Sequence, residues 1–201
     1  MTSIERTAYP RFGRVVTARE LDGFRPLPDE IAWARGRTRS DEHLLALVVS
    51  LKCFQRLGYF PRGEQVPDVV VGHVRDCLAL DRRTIPDGAE RTAEWQRELV
   101  RERVGAVFDP ERTRMVAEGA IRAAAEVKNH PPDLINVALE LLVKESRELP
   151  GFLDARSDGL CDPVRRQHGA VRRHHRSHGA ARCASAGRSA RGRRAIAQEP
   201  V

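Results

Sequence analysis

Apolar residues recur at helical spacing through the first three quarters of the chain, and Pro, Gly and small polar residues divide them into about six or seven segments. Thr17-x-x-Glu20 has the form of a capping box opening a short helix through Leu21, and Pro28-Asp29-Glu30 starts another that holds Trp33. Ser40 suits the N-cap of the next, in which Leu44, Leu47, Val48, Leu51 and Phe54 recur and Gly58 supplies the stop. That helix is apolar over most of its circumference, so it is expected at the centre of the fold.

Pro67-Asp68 opens a fourth helix carrying Val70, Val71, Val74 and Leu78. A fifth is predicted from about Gly88 to Val104, with Ala93, Val100 and Val104 on its inward face and Gly105 as its stop. Asp109-Pro110-Glu111 starts a sixth, with Val116, Ala120, Ile121 and Ala124 inward. Pro131-Pro132-Asp133 starts the last, which runs through Leu134, Ala138, Leu141 and Leu142 and ends before Pro150-Gly151. Strand-like alternation is weak throughout, which makes the expected class all-α: a multi-helix domain over residues 1–153. Residues 154–201 are poor in apolar side chains and rich in Arg, Gly, Ala, Ser and His, and read as a disordered tail.

Charge changes this picture by its distribution. The chain carries net +7, yet residues 1–155 hold 24 Lys and Arg against 25 Asp and Glu, and residues 156–201 hold 11 against 3. The basic surplus therefore belongs to the tail, and nucleic-acid binding by the helical part must rest on where its charges sit. Cys53, Cys77, Cys161 and Cys183 form no CxxC pair, and no signal peptide or membrane-length apolar run is present. The expectation is a cytoplasmic, nucleoid-associated protein with Cys53 and Cys77 as small buried hydrophobes.

The fifth helix holds the most suggestive cluster. Arg91 and Thr92 sit at its opening turn, Gln96 one turn on, and Arg97 and Arg101 share a flank. An apolar face against supporting helices, with Arg, Gln and Thr projecting into a major groove, is what a recognition helix requires. Glu90, Glu94, Glu98 and Glu102 on the same helix leave open a solvated helix laced with ion pairs. Lys52 and Arg56, four apart on the central helix, suit phosphate contacts or snorkelling at the edge of the core. Arg6, Arg11 and Arg14 around Tyr9-Pro10 and Phe12 suit an arm laid along DNA, or one packing its aromatics on the domain. His43, His73 and His130 show no metal-ligand spacing, His73 with Asp76 reads as a surface pair, and His174, His175 and His178 of the tail form no dedicated site. Phosphate loops and nucleophile elbows are absent, so no cofactor, small-molecule substrate or membrane partner is expected.

Three stretches carry a family resemblance. Ser3-Ile4-Glu5-Arg6-Thr7-Ala8-Tyr9-Pro10-Arg11-Phe12, the run from Leu44 through Leu51-Lys52-Cys53-Phe54-Gln55-Arg56-Leu57-Gly58-Tyr59-Phe60-Pro61, and Arg91-Thr92 followed by Val100-Arg101 and Gly105 resemble the N-terminal domain of Tn-three-family transposases. The resemblance implies a helical domain that recognises the terminal inverted repeats of a transposon in double-stranded DNA. Trp95 and Gln96 depart from the family pattern, which favours Arg and His there. In that family an acidic triad holding two metal ions lies in a C-terminal RNase-H-like domain, which nothing after Phe152 resembles, so no catalysis is expected here. The tail's bias matches a GC-rich coding strand read out of frame, which suggests a truncated transposase segment followed by frameshifted residues. Pairing with an intact transposase, and an inert product, are the alternatives the sequence leaves.

Overall fold

The computed structural model describes residues 8–128 and 130–151. The tail expected to be disordered, with Cys161, Cys183 and its histidines, lies outside the described residues, as does Arg6. Among the described residues seven α-helices follow in order: α1 Ala18–Asp22, α2 Pro28–Arg35, α3 Asp41–Leu57, α4 Asp68–Cys77, α5 Glu90–Val104, α6 Pro110–Ala124 and α7 Pro131–Lys144. One 3-10 turn lies at Gly63–Gln65, and the sole extended pairing among the described residues is a bridge between Val107 and Arg147. The class is all-α, as the periodicity predicts.

Local chemistry sets the ends of most helices. The Thr17 side chain accepts the Glu20 N–H while the Glu20 carboxylate takes the Thr17 N–H at 2.8 Å. Ser40 accepts from His43 and Asp109 from Arg112, each capping its helix. Gly58 and Gly105 end α3 and α5 with φ of 75° and 67°, the left-handed region that disfavours side chains. At Gly58 an added Cβ would also meet Leu149 Cδ1 at 3.1 Å, so both conformation and space require glycine.

α3 is the axis of the body. Eleven of its residues are buried, from Leu44 to Leu57, and eight of them, between Leu44 and Phe54, pack with Phe24, Ala34, Val70, Val74, Leu78, Leu99 and Val100 into one core. α2 and α4 run opposite to α3, and α5 runs alongside it. The first turn of α2 reaches the second half of α3 through Glu30 and Lys52, Arg35 at the end of α2 donates to the Leu78 carbonyl after α4 at 3.5 Å, and Gln96 of α5 donates to the His43 carbonyl at 3.5 Å. A second core belongs to the α6–α7 hairpin, where Ala117, Ile121 and Ala124 meet Leu134, Ile135, Ala138 and Leu142. Tyr9, Leu57, Tyr59 and Leu149 join this second core, and Leu149 donates its N–H to the Gly58 carbonyl at 2.8 Å.

α7 ends before Pro150-Gly151 as expected, stopping at Lys144, where Ser146 adopts φ 52° and the following residues pair with Val107 and Gly58. One helix detail differs from the sequence reading. The buried residues of α5 are Gln96, Leu99 and Val100, so its inward face is turned from the predicted Ala93, Val100 and Val104 stripe. Cys53 is buried, as expected, and burial pushes its thiol up to about 12. Cys77 is only partly buried, with its sulfur 3.8 Å from His73 Nε2, so His73 turns to Cys77. No helix among the described residues is long and apolar enough to cross a membrane.

One polar network interrupts the α2–α3 interface. Glu30 is buried and accepts from the Leu27 N–H at 2.7 Å, from Gln55 Nε2 at 2.7 Å and from Lys52 Nζ at 3.1 Å. Burial pushes its carboxyl up, but those three donors more than offset this and hold it below the usual carboxylate range. A lowered folded value stabilises the fold above the ordinary carboxylate range, and that contribution is lost as pH falls through the lowered value. Lys52→Ala, which leaves the Glu30 charge unpaired, is expected to cost ~3–5 kcal/mol in urea unfolding. Replacing Glu30 and Lys52 together by Leu and Met should cost clearly less than that single change, with the acid limb of the stability profile flattened.

Candidate nucleic-acid interface

The eight residues singled out for DNA contact take different positions. Arg91 is exposed at the first turn of α5, and Thr92 beside it is partly buried, its side chain hydrogen-bonded to Asp87. Gln96 is 2% exposed and faces α3, so it cannot enter a groove as folded. Arg97 lies half-exposed with Nη1 on Glu94 at 3.0 Å. Arg101 is held inward: its side chain is 12% exposed, Nε donates to Glu148 at 2.7 Å, and the guanidinium lies 3.9 Å from the Phe108 ring centroid.

Lys52, 6% exposed, is committed to Glu30 and is no phosphate ligand in this fold. Arg56 is exposed in the last turn of α3 near Glu20 of α1, and Arg11 is exposed beside Phe12, whose ring stacks on Phe24 after α1. Arg91 and Thr92 therefore sit at the end of the bundle where α3 begins, whereas Arg56 and Arg11 sit toward the end where it finishes. The eight do not form one continuous rim. Glutamates occupy Arg97 and Arg101, the outcome that the interleaved Glu positions of α5 had left open.

Another set of arginines gathers at the α3 start. The α2–α3 turn and the α4–α5 connection are tied there by Arg35 on Leu78 and by the Asp87 N–H on the Glu42 carbonyl at 3.3 Å. Arg37 and Arg39 project from the turn, and Arg82 and Arg83 from the connection, all exposed. With Arg91 they make no ion pair among the described residues. Acidic residues are present at the same end, but several are turned onto the fold. Asp81 accepts the Arg83 N–H at 2.8 Å, and Asp87 accepts the Ala89 N–H at 3.1 Å and contacts His43 Nε2 at 2.9 Å. The Ala89 N–H, with Thr92 and His43, holds the Asp87 carboxyl below its usual range. Arg37 and Arg39 of the α2–α3 turn and the Arg82-Arg83 pair were the sequence signals for this end; they fall in connections, outside the helical patterns.

A family model described as a domain of unknown function, DUF4158, matches residues 1–153. The chain belongs to the DUF4158 family. No curated protein and no solved structure matches it. The DUF4158 segment spans every described residue from Ala8 to Gly151, so both cores and the arginine end lie within it.

A cleft of about 480 Å³ lies between the α3–α5 side and the hairpin of the DUF4158 segment. Tyr59, Phe60 and Phe108 line it together with Arg97, Arg101, Glu94 and Glu148. Its charges are mutually engaged, and no group of three or more His, Cys, Asp or Glu among the described residues could hold a metal ion. The Arg101–Glu148 pair spans 47 residues of sequence and fastens the segment after α7 to α5. Arg101→Ala and Glu148→Ala should each lower stability, and a double-mutant cycle by denaturant unfolding should show coupling of ~1–2 kcal/mol. Full additivity would mean that the pair does not hold the hairpin.

Proposed function

We propose that this chain binds double-stranded DNA and recognises the terminal inverted repeats of a Tn-three-family transposon. The observation that carries the reading is the arginine end, where Arg37, Arg39, Arg82, Arg83 and Arg91 reach solvent without a carboxylate partner among the described residues. Guanidinium groups in that state donate bidentately to phosphate oxygens and release the counterions condensed on DNA. The N-termini of α3 and α5 open at the same end, and the positive ends of their helix dipoles favour anions there.

The resemblance of residues 44–61 to the transposase N-terminal domain supports the same reading, and the span matched by the DUF4158 family is the span over which that resemblance runs. In this proposal the contact set is narrower than the sequence suggested. Arg91 reads or grips DNA from the start of α5, with Arg97 available through a surface pair that contributes little to the fold. Gln96, Lys52 and Arg101 serve the fold. The proposal assigns no bond-making step to the described residues.

A mobility-shift assay with the full chain tests the proposal. The expected result is tighter binding to an inverted-repeat duplex from a Tn-three-family element than to a random duplex. Arg91→Ala should weaken the end complex by ~1–3 kcal/mol, and the random complex by less. Equal affinity for both duplexes removes end recognition from the proposal; no binding to either removes DNA.

A further inference from the structure

The connection between α4 and α5 contains no helix or strand, yet its backbone is fixed along its length. Ala79 turns the chain off α4 with φ 55°, and its N–H reaches the Asp76 carbonyl at 3.1 Å. The Asp81 carboxylate takes the Arg83 N–H, and the Asp81 carbonyl takes the Thr84 N–H at 2.9 Å. Thr84 is buried, and its carbonyl accepts from Arg75 Nε of α4 at 2.9 Å. Pro86 restricts the backbone next, and Asp87 is bound to α3 through Glu42 and His43.

Three side chains are left pointing out of this braced loop. Arg82 and Arg83 are exposed, and Ile85, between the anchored Thr84 and Pro86, is 71% exposed. A β-branched apolar side chain gains nothing from such exposure within the isolated fold. Two arginines and an isoleucine on a pre-ordered backbone lose little freedom on meeting a partner, which favours binding. The partner chemistry they match is alternating phosphate and deoxyribose: charge for the former, an apolar contact for the latter.

The geometry points to residues 81–86 as a duplex-contact loop, with Arg82 and Arg83 on backbone phosphates and Ile85 against deoxyribose. Arg37 and Arg39 of the adjoining α2–α3 turn continue the phosphate track. This assignment rests on the DNA reading above, and it names a surface that no helix of the fold supplies.

The test uses the full chain and a fluorescein-labelled random-sequence duplex, titrated by anisotropy over a series of salt concentrations. Arg82→Ala with Arg83→Ala should reduce the slope of log K against log salt by about 2, with thermal melting unchanged. The corresponding double change to Lys should retain the slope. Ile85→Ser should weaken binding roughly five- to tenfold and leave the slope as it was. If the native chain binds the duplex and the Ala and Ser variants bind with native affinity and slope, the loop is not the contact and the DNA reading survives. If the Lys variant loses the slope as the Ala variant does, the effect is structural and the loop assignment fails. If the native chain binds no duplex, the DNA reading itself fails and the loop assignment goes with it.

Discussion

The whole arrangement follows from α3 being apolar on nearly every side. A helix of this kind is stable in water only when other helices surround it, and α2, α4 and α5 each give up an apolar stripe to do so. That enclosure sets the terms for the one ammonium group on α3 that falls inside it. Lys52 cannot reach water and must meet a carboxylate, and Glu30 supplies it while also closing the first turn of α2. Packing and charge pairing are therefore one requirement at this interface.

Helix order was almost entirely readable because many starts and stops are encoded by a local interaction. Thr17, Ser40 and Asp109 cap by bonds spanning three residues, and Gly58 and Gly105 stop helices by a conformation that glycine favours. For α7 the sequence bounds the end only as lying before Pro150; the stop at Lys144 is set by Ser146, which has no special liking for the left-handed region and is placed there by pairing with Val107 across the chain.

The candidate contact residues were less legible for the same reason in reverse. Spacing along α5 shows that Arg97 and Arg101 share a flank and that glutamates lie in reach. It does not show that Arg101 meets Glu148 from beyond α7, or that α5 is rotated so that Gln96 replaces Ala93 on the buried face. A glutamine amid helical arginines looks like a base reader until its amide is seen to bond the His43 carbonyl. Four of the five arginines at the α3 start, Arg37, Arg39, Arg82 and Arg83, lie instead in connections, where no periodicity draws attention to them. An evenly balanced net charge over residues 1–155 conceals this, because carboxylates fold back on nearby N–H groups while guanidinium groups extend outward.

The bond from the Leu149 N–H to Gly58 gives the molecule a polarity. It pins the outgoing chain at the finish of α3, while Arg37, Arg39 and the braced loop surround the beginning. A helix of seventeen residues separates the two by roughly 25 Å. Leu149 to Gly151, the last of the described residues, therefore lie at the pole opposite the arginines, so a label or surface attachment placed there sits a full helix length from the braced loop.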